Sequence, residues 1–67
     1  MTPSIEELIR VVAQIEARLA AQQRALRDLP PDIAQQIRIT AQILTATTID
    51  SLAQSKADLV AARARLA

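Results

Sequence analysis

The first half of the chain carries apolar residues in alternating steps of three and four, the spacing of one helix face. The series consists of Ile5, Leu8, Val12, Ile15, Leu19, Leu26 and Leu29, with Gln22 in its one gap. Ile9 and Val11 widen the stripe near its N-terminal end. The pattern predicts an amphipathic first helix over about residues 3–29.

Two alternative signals mark the start of this helix within residues 2–5. Thr2 can cap a helix whose first residue is Pro3, or Ser4 can cap one that carries Glu7 three residues later. Both place acidic side chains near the positive end of the helix dipole. The sequence leaves the choice between the two caps open.

The segment Leu29-Pro30-Pro31-Asp32 is the one break in the helical pattern. Pro30 disfavours helix at the residue before it, which ends the first helix near residue 28 or 29. Pro31 suits the first turn of a new helix, and Asp32 with Gln35 forms a second capping pair. The sequence therefore predicts a turn over 29–32 and a second helix over about 32–66, antiparallel to the first and overhanging it by more than two turns.

The second helix has two separate apolar faces, and a lone hairpin can bury only one of them. The first face contains Ile33, Ile37, Ala41, Leu44, Leu52, Leu59, Ala62 and Leu66. The other contains Ile39, Ile43, Ala46, Ile49, Ala53 and Val60. We expect the first helix to pack on the face of Ile37, Leu44, Leu52 and Leu59. The second face is then the predicted oligomer interface.

Hydroxyl side chains interrupt the second helix at Thr40, Thr45, Thr47, Thr48, Ser51 and Ser55. Such groups can donate to the main-chain carbonyl one turn earlier, so their burial needs no outside partner. Three interpretations stay open: a polar core layer that sets the register of a bundle, a hydrated lumen in a ring of helices, or a solvated face. We favour a polar core layer formed by Gln22, Thr40, Thr47 and Ser51.

Composition agrees with an all-α fold and excludes most alternatives. The chain has 67 residues with fourteen Ala, eight Leu and eight Ile, and it contains no Gly, aromatic residue, Cys or His. Such a composition favours helix, while a core of this size usually needs extra support. Without cysteines or the commonest zinc ligands, oligomerisation is the support that the sequence allows.

Charge and reactive groups indicate no chemistry or charged partner. The net charge of +1 is dispersed along the chain, so we expect no binding to nucleic acid or anionic lipid. The carboxylates lack a His to complete a metal motif, and Ser4, Ser51, Ser55 and Lys56 lack activating neighbours. We therefore predict a non-enzyme without a catalytic residue, metal, cofactor or small-molecule substrate.

The hydropathy pattern gives no sign of a membrane protein. The longest uncharged stretch of the second half, Ile39 to Ile49, is far shorter than the roughly 20 apolar residues of a membrane span. The N-terminus lacks the basic-then-apolar order of a signal peptide. We expect a soluble, cytoplasmic protein.

The layout of two capped helices joined by a short turn resembles the Rop-type helical hairpins, although no sequence motif of that family is present. The resemblance implies an antiparallel dimeric four-helix bundle. The capped starts at Thr2-Pro3 and Pro31-Asp32, with packing almost wholly by Ala, Leu and Ile, are also similar to computationally designed helical hairpins.

The fold class that we predict is an all-α antiparallel two-helix hairpin that assembles into a symmetric helical bundle. Its expected function is self-assembly, with further copies of itself as the partner. The alternative is a small natural bacterial or phage adaptor that binds a partner protein through the second helix.

Overall fold

The computed structural model describes residues 4–66 as an antiparallel pair of helices, α1 (Ile5–Arg27) and α2 (Gln35–Leu66). The two helices pack along one another, and no strand occurs within residues 4–66. The molecule measures 52 × 18 × 15 Å, so it is a rod two helices wide. The predicted all-α helical hairpin is confirmed.

Ser4 caps the first helix. Its side-chain Oγ accepts a hydrogen bond from the Glu7 N–H at 3.1 Å, and its extended backbone precedes the helical residues. This contact satisfies one of the N–H groups that the first turn of a helix leaves without a partner. The predicted start within residues 2–5 is confirmed, while the alternative cap at Thr2 and Pro3 lies outside the described residues.

The connection between the helices is longer than the sequence predicts. The Pro30 carbonyl accepts the Ile33 N–H at 3.2 Å, which closes a turn with Pro31 at its second position. The first carbonyl of α2 to accept an i+4 hydrogen bond belongs to Ala34, so Ala34 stands at the N-cap position. The predicted capping by Asp32 is wrong, because Asp32 is the third residue of this turn and α2 begins only at Gln35.

The predicted apolar series of α1 forms its seam, meaning the line of residues that packs against the other helix. The prediction is confirmed at each position. Every member of the predicted series, including Gln22, is buried or half-buried, and the other described residues of α1 are exposed. Val12, with 9% of its surface exposed, is the one buried hydrophobic residue within residues 4–66. Ile9 and Val11, which widen the stripe, lie at its exposed edges.

The seam of α2 differs from the predicted face. Its buried and half-buried positions also follow steps of three and four, and they are Arg38, Ala41, Thr45, Thr48, Leu52, Ser55, Leu59 and Ala62. Ile37 and Leu44, which we expected to pack on α1, are 53% and 55% exposed. The reason is geometric: the heptad that contains Ala41, Leu52 and Leu59 passes through residues 45 and 48, and residues 37 and 44 lie beside it.

The end of α2 shows a shorter overhang than expected. Half-buried positions continue to Ala62, so only the last turn, with the exposed Leu66, lacks burial. The additional residues of α2 lie largely at its N-terminal end, beside the connection, whose residues 29 and 33 are half-buried. The seam therefore runs along almost the whole of both helices.

Candidate interaction surface

The exposed surface of α2 divides into two flanks, one on each side of the seam, and an outer line opposite α1. Their positions follow from the heptad that the seam defines. The first flank consists of Gln35, Ile39, Gln42, Ala46, Ile49, Ala53, Lys56, Val60 and Arg63. The second flank consists of Ile37, Thr40, Leu44, Thr47, Ser51, Gln54, Asp58, Ala61 and Arg65. The outer line consists of Gln36, Ile43, Asp50, Ala57 and Ala64.

The predicted oligomer interface occupies the first flank and one position of the outer line. Ile39, Ala46, Ile49, Ala53 and Val60 lie together on the first flank, and Ile43 lies on the outer line. All six side chains are exposed in the hairpin, with Ile43 at 60% and Val60 at 66%. Their arrangement is compatible with an interface, and the assignment stays a prediction.

The second flank is apolar in its N-terminal part, where it carries two residues, Ile37 and Leu44, that were predicted to pack on α1. Ile37 and Leu44 project from it together with Thr40, and this part forms a shallow apolar groove with Gln36 and Ala41. Large exposed aliphatic side chains grouped in this way mark interaction sites more often than single exposed ones do. The hairpin thus presents apolar surface on both sides of α2.

The four threonine hydroxyls of α2 donate to carbonyls of their own helix, as predicted. Thr40, Thr45, Thr47 and Thr48 each donate to the carbonyl four residues earlier, over distances of 2.8 to 3.0 Å. Thr45 and Thr48 are each only 8% exposed, and they lie in the seam without needing a donor or acceptor from α1. These two, and not the predicted Thr40, Thr47 and Ser51, supply the buried hydroxyls of the hairpin.

The predicted polar layer is divided between two places. Gln22 lies in the seam, whereas Thr40, Thr47 and Ser51 lie exposed on the second flank. Thr47 and Ser51 approach Gln22 around a groove between the helices that Ile15, Arg18 and Leu44 also line. Whether these residues form a layer against another copy stays a prediction, but they form none inside the hairpin.

Gln22 is the least satisfied polar residue in the seam. Its Oε1 atom is buried and accepts no hydrogen bond within the hairpin. Its neighbours across the grooves include Thr45 and Thr48, whose hydroxyl hydrogens are committed to carbonyls of their own helix. A buried acceptor without a donor costs about 1–3 kcal/mol, so the amide destabilises the isolated hairpin.

Arg38 is a seam residue that the sequence analysis did not identify. It is half-buried, and its Nη2 donates to the Pro30 carbonyl at 3.2 Å, the same oxygen that closes the turn. The contact ties the first turn of α2 to the connection eight residues earlier. Continuing the three-and-four steps backwards from Ala41 would have found this position.

The chemistry of these surfaces is that of packing. Among residues 4–66, no three acidic, His or Cys side chains are grouped closely enough to hold a metal ion. Asp58, in the C-terminal part of the second flank, accepts a hydrogen bond from Gln54 at 3.0 Å, an ordinary pair one turn apart. Neither helix, over its described length, is long and apolar enough to cross a membrane.

Comparison with known proteins adds no family or relative to this picture. The chain matches no protein-family model, no curated protein and no solved structure significantly.

Proposed function

We propose that this protein is a self-assembling structural unit, which forms a homo-oligomeric helical bundle through α2 and has no catalytic activity. The observation that carries the proposal is the contrast, within residues 4–66, between one buried hydrophobic residue, Val12, and the exposed aliphatic side chains of α2. A hairpin with this little interior has too small a core to be stable alone. Burial of α2 against further copies supplies the missing apolar contacts.

The surface area of the single chain supports this proposal. The hairpin exposes 5242 Å², whereas a compact monomer of its mass of 7.3 kDa exposes about 4,200 Å². Its radius of gyration is 15.4 Å, against about 11 Å for a compact chain of this length. The excess of about 1,000 Å² exceeds the roughly 800 Å² that one partner contributes to a standard protein interface.

Light scattering coupled to gel filtration tests the proposal. We expect the purified chain to be a single oligomer and Ile43→Asp to dissociate it, because a charge in an apolar contact must be desolvated without a partner. Ile43→Ala removes only the apolar contact and should weaken assembly less. Gln14→Asp, at an exposed position of α1 opposite its seam, is the matched control and should keep the wild-type mass.

Two results would contradict self-assembly. A folded wild-type monomer at all accessible concentrations would show that the hairpin needs no partner. An unfolded or aggregating chain that folds only when a second protein is added would favour an adaptor that binds a foreign helix through α2.

A further inference from the structure

The N-terminal half of α2 is apolar on almost every side. Between Arg38 and Asp50 the helix carries no charge, and its large exposed side chains lie on both flanks and on the outer line. They are Ile37, Leu44, Ile39, Ile49 and Ile43. A helix that is hydrophobic all round belongs in the interior of an assembly. One neighbour on one flank would leave half of this surface in water.

The area available on α2 also requires both flanks. At 1.5 Å per residue the 32 residues of α2 extend about 48 Å, and a helix is about 10 Å wide. Each flank is therefore a strip of about 500 Å², which is only half of the roughly 1,000 Å² by which the single chain exceeds the surface of a compact monomer. The two strips together reach about 1,000 Å², close to the excess surface of the single chain.

The relative direction of neighbouring α2 helices follows from the uneven distribution of charge. The C-terminal half carries Lys56, Asp58, Arg63 and Arg65, whereas residues 39–49 carry none. An antiparallel pairing along the full helix would set the uncharged half of one copy against the charged half of the other. A parallel pairing brings Ile37 and Leu44 of one copy beside Ile39 and Ile49 of the next, at the same height.

The two flanks also differ from each other. The first carries apolar residues as far as Val60, interrupted by Gln42 and Lys56, whereas the second turns polar after Leu44. Parallel copies that join unlike surfaces are related by a rotation about an axis along the helices. Such a contact repeats from copy to copy until the ring closes.

We infer that the first flank of each α2 binds the second flank of the next copy, giving a closed ring of three or more chains with α2 inside and α1 outside. This inference rests on the proposed self-assembly and assigns its partner surfaces. The outer line, with Ile43, then faces the axis of the ring. Because α1 has a single apolar stripe, which α2 covers except for Ile9 and Val11 at its edges, its remaining surface suits the outside.

A mixing experiment tests the ring. Ile49→Asp disables the first flank and Leu44→Asp disables the second, and native mass spectrometry measures each variant alone and in a 1:1 mixture. In a ring each variant alone lacks one half of every contact, so both should be monomeric. The mixture should form a 1:1 heterodimer, because the intact second flank of Ile49→Asp meets the intact first flank of Leu44→Asp.

The other outcomes overturn the ring. If one variant alone forms a dimer, its intact flank binds the same flank of a second copy. If a variant keeps the oligomer mass of the wild type, the substituted flank is not an interface. A mixture that stays monomeric also contradicts it. In all three cases the proposed self-assembly stands as long as the wild-type chain is an oligomer. A monomeric wild-type chain would contradict both the self-assembly and the ring. Circular dichroism checks helicity, and Ile49→Gln with Leu44→Gln repeats the test without charge if the Asp pair unfolds.

Discussion

Two valines show how differently the two helices use their apolar residues. Val12 of α1 is 9% exposed in the seam, whereas Val60 of α2 is 66% exposed on the first flank. The same contrast runs through both helices, since α1 turns its main apolar series inward and α2 leaves most of its isoleucines outside. One partner satisfies α1, whereas α2 needs several.

The composition of the α2 seam explains this difference. Its seam consists largely of small or hydroxyl residues, among them Ala41, Thr45, Thr48, Ser55 and Ala62. Facing these, the longer aliphatic side chains of α1 fill the space between the helices, in the way that large and small residues alternate across a packed interface. The bulky residues of α2 then remain outside, where further helices can bury them.

The largest effect that we predict separates the two valines. Val12→Asp places a carboxylate in the seam, and the cost of several kilocalories per mole should abolish helical structure at every protein concentration. Val60→Asp places the same charge on the first flank, so it should weaken association while helicity persists at high concentration. Circular dichroism at two concentrations measures both, and equal loss of helicity in the two variants would remove the distinction between seam and flank.

The next effect concerns the whole of α2. If its flanks are buried only in the oligomer, folding is coupled to association and stability depends on concentration. A hundredfold dilution changes the association term by about 2.7 kcal/mol and should lower the melting temperature by roughly 10–20 °C. Melting curves that superimpose over this range, while light scattering shows dissociation, would contradict the coupling.

Gln22 offers a smaller effect within the α1 seam. Gln22→Leu removes the buried acceptor that lacks a donor and adds apolar contact, so the hairpin should gain about 1–3 kcal/mol. Gln23→Leu, at the exposed neighbouring position, should change stability by about 0.5 kcal/mol or less. Chemical denaturation at one protein concentration compares the two. Destabilisation by Gln22→Leu would mean that the amide has a hydrogen-bond partner in the assembly.

The smallest effect compares two adjacent threonines. Thr48→Val in the seam and Thr47→Val on the second flank each remove a hydroxyl that bonds only to its own helix. Both should change stability by less than about 1 kcal/mol, because the carbonyl keeps its main-chain hydrogen bond.

Native mass spectrometry of Thr47→Val adds the information on assembly. A spread of subunit numbers would support a polar layer between copies that fixes the register. A single, unchanged subunit number would leave a hydrated lumen or a solvated face as the remaining interpretations of these hydroxyl residues.

Features that depend on local spacing could be predicted from the sequence. Ser4 caps α1 because its hydroxyl reaches an N–H three residues away, and the threonines of α2 bond to carbonyls one turn earlier. The α1 seam was also predictable at every position, because this helix has one dominant apolar stripe. None of these features depends on which residues of the other helix lie opposite.

The side of α2 that packs on α1 could not be predicted from the sequence. Apolar residues lie on several sides of α2, so periodicity alone cannot choose among them, and the choice of Ile37 and Leu44 was wrong. The connection shows the same limit, since the turn closed by the Ile33 N–H and the Pro30 carbonyl precedes the start of α2 at Gln35, and Arg38 bonds to the same carbonyl across eight residues. Packing across the seam selects the side with Thr45 and Thr48, because small side chains there leave room for the longer aliphatic residues of α1.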